Sequence, residues 1–517
     1  MEKKLNFLIC SVPRMAMYYP PPAPAFLKSI LLKAGHTCKT IDFVSDFFYS
    51  FQKHPRWTEI DNWNALANYQ NKEIETLIEE KVEDWAKKIL EYNANWVGIS
   101  IFSYESHRIG KLIVEKIKML DPTQKILMGG TGITNVSEPY AEKLLEKGLI
   151  NAYITGEGEE TILEFAKNNF DFPGINNKNF INVSKKVLDN MPEADYSDYN
   201  LKLYGKENLG IYLRTSNHTL KDMTETENTM SITGSKGCVR KCSYCDVPYV
   251  WPKFIHRSGD IVANEIIEKS KKYGVRRFHF TDSLVNGSMK EFRIMCDILA
   301  KHNVDNNANI VWNGQFIFRP IKQHTPEDWE LIAKSGASVL EVGIESASDE
   351  IRFQMGKKFT NDDVAYELEQ CSKHKITTWP LFIIGYPTET EKHVNEYKKF
   401  FERFHPYAYD KTILNLELGG TLRIQPNTPD YTNLPKMGVE FIPMPNGPRE
   451  DMLWWNPANP TLTLSERIRR RLMLGKVAKN LGYSIPSEEK DLKFLWSKWN
   501  QLKDIEKEFL DARKNKN

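Results

Sequence analysis

Apolar residues recur along the first third of the chain in short blocks separated by polar turns. From Leu5 to Cys10 the run Leu-Asn-Phe-Leu-Ile-Cys reads as a buried strand, and a proline-rich turn leads from it into a helix over Pro24 to Ala34. Further strands are predicted at Thr37 to Phe43, Trp96 to Ile101 and Lys125 to Met128, with a helix from His107 to Leu120 between the last two. Ala152 to Thr155, the turn Gly156-Glu157-Gly158-Glu159 and a helix from Thr161 to Lys167 close this region. Strands that alternate with helices imply a parallel, doubly wound sheet, since parallel neighbours need a crossover between them.

A polar stretch then interrupts the rhythm. Residues 171–229 are rich in Asn, Asp, Lys and Pro without sustained periodicity and read as a linker. The βα pattern resumes at Met230, with strands at Ser231 to Thr233, Arg277 to Thr281, Asn309 to Asn313, Val339 to Gly343 and Trp379 to Ile384, separated by helices such as Asp260 to Tyr273. That spacing predicts a partial (β/α) barrel. Beyond residue 395 come Pro- and Gly-rich loops, then a helical tail from Ser465 with a polar, frayed end at Asp511 to Asn517. The expected fold class is therefore α/β. It comprises a doubly wound N-terminal domain (1–170), a linker (171–229), a partial barrel (230–395) and a mainly helical C-terminal extension (396–517).

A length of 517 residues agrees with more than one hydrophobic core, and 41% hydrophobic with 27% charged residues is the balance of a globular protein. Lysine and arginine number 70 against 68 acidic residues, so there is no broad positive field to gather nucleic acid. The run Arg467, Arg469, Arg470, Arg471 could touch phosphate but reads first as a solvated helix face. The apolar N-terminus is broken by Arg14 and Pro20 to Pro22 before a signal-peptide core forms, and no membrane span is expected, which points to the cytoplasm. Seven cysteines are too few and too uneven for a disulfide framework. Cys10, Cys38, Cys296 and Cys371 read as buried thiols.

The other three cysteines stand in Gly237-Cys238-Val239-Arg240-Lys241-Cys242-Ser243-Tyr244-Cys245. Three thiolates so close together can each take one iron of a cubane and leave the fourth iron open, and Arg240 and Lys241 place positive charge beside them. Structural zinc would need a fourth ligand, for which His256 is the nearest candidate.

This CxxxCxxC pattern, with an aromatic before its last cysteine and a barrel-opening strand before it, resembles the radical S-adenosylmethionine (SAM) superfamily. Thr281-Asp282-Ser283, Gly343-Ile344-Glu345-Ser346 and Ile384-Gly385-Tyr386-Pro387-Thr388-Glu389-Thr390, each after a predicted strand, extend the resemblance. The GxIxGxxE pattern of that superfamily is imperfect here, with Leu381 for its first glycine and Glu389 one position late. The resemblance implies a [4Fe-4S] cluster on Cys238, Cys242 and Cys245, SAM chelated at the open iron, reductive cleavage to a 5'-deoxyadenosyl radical, and an electron donor such as flavodoxin or ferredoxin. It places Tyr244 and Gly385 near adenine and Glu345 and Ser346 near the ribose or methionine part, with Asp282 among the SAM contacts. Read without the resemblance, Asp282 caps a helix, Glu345 is a solvated loop carboxylate and Gly385-Tyr386-Pro387 is a turn.

Residues 1–170, from Pro21-Pro22 through Gly98-Ile99-Ser100 and Gly129-Gly130-Thr131-Gly132 to Gly156-Glu157-Gly158-Glu159, resemble the cobalamin-binding domain that precedes many radical SAM domains. Ser100, Ser103, Gly129, Gly130 and Thr131 are the candidate contacts to the corrin tail. The DxHxxG element that ligates cobalt in some cobalamin proteins is absent, and none of the 11 histidines stands in such a context. The resemblance implies cobalamin-dependent C-methylation. A cobalamin-independent cyclase or rearrangement enzyme and a non-catalytic iron–sulfur or zinc protein are the alternatives.

Overall fold

The computed structural model describes residues 4–514 apart from 14, 16, 66–68, 135–138, 180–181, 205–227, 446–448 and 487. The chain forms two compact units, the second beginning at about Ile232. No helix among the described residues is long and apolar enough to cross a membrane.

In the first unit, β1 (Asn6–Ser11), β2 (Thr37–Asp42), β3 (Trp96–Ser100), β4 (Ile126–Gly129) and β5 (Ala152–Ile154) make one parallel sheet in the order β2-β1-β3-β4-β5. The two faces of β1 explain why its run is apolar throughout. Phe7 and Ile9 pack with Leu31, Trp96 and Phe165 on one side, while Leu8 and Cys10 pack with Val97, Ile113 and Trp85 on the other. Strand order reverses between β1 and β3, where Ser11 lies opposite Ser100. In open α/β sheets such a switch point leaves a crevice at the carboxyl ends of the strands.

Residues 171–204 are not a linker. Ile175 bridges Ile154 antiparallel at the sheet edge, Thr155 donates its N–H to the Gly174 carbonyl (2.8 Å), and Val183 donates to the Glu157 carboxylate (2.5 Å). Buried Lys28 pairs with Asp198 at 2.7 Å and Asp195 at 3.5 Å. The Asn- and Asp-rich composition that suggested a linker supplies groups that pin this segment down, Asp195 and Asp198 among them. The remainder of the expected linker, 205–227, lies outside the described residues.

The second unit is built on β6 (Thr229–Ile232), β9 (Arg277–Phe280), β10 (Val311–Phe316), β11 (Ala337–Glu345) and β12 (Thr377–Phe382), in the order β12-β11-β10-β9-β6. A hairpin of β7 (Ser235–Lys236) and β8 (Ile255–His256) brackets the cysteine loop. The sheet does not stop at the expected boundary near 395. Ile413, Glu417 and Thr421 bridge Thr378, Leu381 and Ile384 in parallel, so residues 413–421 extend it past β12.

Connecting helices start where the sequence supplies reciprocal caps, as at Thr325 with Asp328 and Thr360 with Asp363. The extension ends in two helices, Leu464–Asn480 and Glu488–Lys514. The second remains helical through Asp511 to Lys514, where Arg513 donates to Glu440 (2.6 Å), so these four residues are not frayed, and 515–517 lie outside the described residues.

Candidate functional site

The cysteine loop leaves β7 through Gly237, which has φ +76°; a Cβ there would lie 2.7 Å from the Lys253 carbonyl oxygen. Only glycine meets both conditions without displacing the hairpin. The approach to the loop is held by Asp282, whose carboxylate accepts from Gly234 N–H (2.9 Å) and Ser235 Oγ (2.5 Å). Burial raises the Asp282 carboxyl to about 7 against the opposing pull of these hydrogen bonds. Asp282 thus latches the chain that carries the cysteines. It does not cap a helix.

Within the loop, Cys245 N–H donates to the Cys242 carbonyl (3.2 Å) and Ser243 N–H to Met355 (3.0 Å), while the Ser243 carbonyl accepts from Asp430 N–H (2.7 Å). Cys242 is buried and Cys238 and Cys245 half-buried, all as free thiols. Burial pushes the Cys245 thiol up to about 11 and raises Cys242, where Lys357 and Tyr244 pull the other way. His256, the fourth ligand that zinc would need, lies in β8 with Nδ1 3.2 Å from the Arg257 carbonyl oxygen.

Glu345 ends β11 at φ +67°, in a bulge beside Gly343. Its carboxylate is not solvated. It pairs with Lys357 at 3.1 Å, both side chains being buried. The pair lies over Gly343, where a Cβ would fall 2.2 Å from Glu345 Oε1 and 2.8 Å from Lys357 Nζ. Tyr244 places its hydroxyl within hydrogen-bond reach of both Glu345 and Cys242, and burial with the Glu345 charge raises its pKa. Burial alone would lower Lys357; the Glu345 carboxylate and Cys242 outweigh it and hold the ammonium charged. A carboxylate, a phenol and an ammonium therefore meet at Cys242, a donor and acceptor set suited to a zwitterionic, hydroxylated cofactor.

Ser346, also expected here, is engaged internally: Oγ accepts from Ser348 N–H (3.2 Å) and its carbonyl from Arg352 (2.6 Å). Gly385 has φ +84° and donates its N–H to Glu389 (3.2 Å). Next to it, Tyr386 links Ser243 of the cysteine loop (3.1 Å) to Asp430 (3.1 Å). The arginine run is not a solvated face. Arg467, Arg470 and Arg471 are buried, their guanidiniums directed to carbonyls and acids of distant segments.

Sequence reasoning missed Lys357 and Asp430, the link that Tyr386 makes and the burial of the arginines; Tyr386 carried a signal as the residue after Gly385 in a resembling motif, and the arginines did as a run.

In the first unit, Ser100, Ser103, Gly129, Gly130 and Thr131 gather at the carboxyl ends of β3 and β4, beside the switch point. Gly130 packs so closely that a Cβ would lie 2.3 Å from the Ile101 carbonyl oxygen. Thr131 Oγ1 donates to the Phe102 carbonyl (2.6 Å), whereas the buried Ser103 Oγ has no protein partner. Phe102 and Tyr104 at this edge are 55% and 65% exposed. An orphaned hydroxyl beside exposed aromatic rings fits a large, flat ligand with a polar tail.

Residues 232–401 match the radical SAM superfamily. A bacteriochlorophyllide d C-12(1)-methyltransferase from Chlorobaculum tepidum is 33% identical over 166 residues, covering 31% of this chain and 34% of that relative. The chain thus spans about a third of that relative's length. The radical S-adenosylmethionine methyltransferase TsrM from Kitasatospora setae, solved with cobalamin and a [4Fe-4S] cluster bound, superposes with a TM-score of 0.55 at 17% identity over 90% of this chain and 82% of that one. The cobalamin-dependent S-adenosylmethionine radical enzyme OxsB, solved with aqua-cobalamin, superposes with a TM-score of 0.60 at 15% identity over 98% of this chain and 72% of that one. At these identities the two structures establish the shared fold.

Proposed function

We propose, from the premise that residues 232–401 are a radical SAM domain, that this chain is a cobalamin-dependent radical SAM C-methyltransferase. Cys238, Cys242 and Cys245 would hold a [4Fe-4S] cluster, Tyr244, Glu345 and Lys357 would contact SAM, and the β3–β4 edge of the first unit would take cobalamin. When bound, the cluster with SAM supplies one-electron cleavage to a 5'-deoxyadenosyl radical, and cobalamin supplies a methyl carrier. A low-potential donor such as flavodoxin or ferredoxin would deliver the electron, and the seven free thiols agree with the reducing cytoplasm.

The observation that carries this reading is the convergence of Tyr244, Glu345 and Lys357 on Cys242. Each group has a definable task. Glu345 accepts hydrogen bonds from hydroxyl or ammonium groups, Lys357 offers a fixed positive charge to a carboxylate, and Tyr244 brings a hydroxyl from the cysteine loop. Along the sheet, His279, Asn313, Glu341 and Trp379 are half-buried between fully buried neighbours, and His279 hydrogen-bonds Asn313. That polar face supports assigning substrate orientation to these residues.

Anaerobic reconstitution tests the reading. Wild type should bind about four irons per chain and show a SAM-dependent change in its electron paramagnetic resonance (EPR) spectrum; Cys242→Ala should lose both. Zinc without sulfide would overturn it. Protein from a B12-replete host should show corrin absorption, and turnover without any corrin would remove the cobalamin step.

A further inference from the structure

The buried arginines of the C-terminal helix reach a segment far from them in sequence. Arg467 runs beneath Gly385, where a Cβ would lie 2.6 Å from its Cγ and 2.7 Å from its Cδ. Gly385 is therefore a glycine in part because an arginine stem occupies the place of its side chain. The Arg467 guanidinium lies 3.7 Å over the Trp454 ring and donates to the carbonyls of Met452 (2.8 Å), Trp454 (3.3 Å) and Leu422 (3.4 Å).

One turn on, Arg470 Nη1 donates both to the Glu389 carbonyl (3.0 Å) and to its carboxylate (3.2 Å), while the other carboxylate oxygen accepts from Gly385 N–H. Glu389 and Arg470 are both buried, so no water competes for these contacts. The far side of the same turn is Tyr386, bonded to Ser243 between Cys242 and Tyr244. One continuous path thus joins the last helices to the cysteine loop.

Resting on the function proposed above, we infer that Arg467 and Arg470 are positioning residues for SAM: by fixing the Gly385–Glu389 turn, and through Tyr386 the cysteine loop, they make the C-terminal extension part of the cofactor site. A guanidinium in this place donates in more than one direction to fixed acceptors, as a lone methylene stem cannot. The extension is then more than a cover packed on a complete domain.

The test uses the full chain with its cluster reconstituted. Arg470→Met should keep about four irons per chain, yet bind SAM at least tenfold more weakly by equilibrium dialysis and lose most of the SAM-dependent EPR change. Arg470→Lys should recover part of the affinity, and exposed Arg469→Ala should match wild type. Hydrogen exchange on wild type guards against a variant that fails to fold. SAM should slow exchange in 464–471 as well as in 383–389. Wild-type affinity in a cluster-loaded Arg470→Met chain, or SAM protection confined to 383–389, would overturn the inference. A cluster-loaded wild type that ignores SAM would instead overturn the proposed function, and the inference with it.

Discussion

At the scale of single residues, Asp282 ties proton binding to the architecture around the cysteines. Its folded pKa of about 7 lies above the value near 3.9 expected of an unfolded aspartate. Below the unfolded value both states hold the proton; between the two values only the folded state does. The stability that Asp282 contributes is therefore greatest at the acid end, falls as pH rises toward 7, and is lost above it. A displacement of this size corresponds to a few kcal/mol, about 4 at most. Asp282→Asn, which keeps an acceptor for Ser235 but cannot ionise, should flatten this dependence. Urea midpoints of the cluster-free chain at pH 5 and pH 8 should differ less in the variant than in wild type, and equal differences would contradict the assignment. The sequence marked Asp282 and Glu345 because each follows a predicted strand, and Tyr244 because it is the aromatic within the cysteine motif. Lys357 follows a helix and a glycine turn instead, and only the fold brings its ammonium to Glu345.

At the scale of elements, periodicity located the strands of both sheets to within a few residues, and the helix His107–Leu120 at both ends, because apolar spacing is a local property. Two misreadings share the opposite cause. Residues 171–204 and the arginine run are polar segments whose burial is decided by distant partners: Ile154 and Lys28 for the first, Glu389, Glu488 and the Met452 carbonyl for the second. Composition cannot register such partners. The turn at Gly237 is where local conformation and distant contact meet, since its positive φ and the Lys253 carbonyl both exclude a side chain. Gly237→Ala should cost about 1–2 kcal/mol from the left-handed backbone alone, with a further penalty for moving the β7–β8 hairpin. Lower iron uptake on reconstitution, together with a lower melting temperature, is the expected result; unchanged iron content would show that the loop tolerates the shift.

At the scale of the whole molecule, the last two helices of the second unit share a hydrophobic cluster with the segment that precedes them. Leu464, Ile468, Leu495 and Leu502 of the last two helices are buried with Ile442, Met452 and Leu453, and Glu506 accepts from Leu464 N–H at the start of the first of these helices (2.6 Å). Burying those four aliphatic side chains at about 1.5–3 kcal/mol each is a gross contribution of about 6–12 kcal/mol, comparable with the entire net stability of an ordinary domain. A chain ending at Thr463 would forfeit that contribution, uncover Trp454, and leave the Leu422 and Met452 carbonyls without the Arg467 guanidinium. The partial barrel should then fail as a unit. Truncation at this point should give a chain that aggregates or is cleaved rapidly within 232–463 under limited proteolysis, and that takes up little iron. A truncated chain that loads about four irons and resists protease as the full chain does would show instead that the strands from β6 to β12 fold without the helices packed upon them.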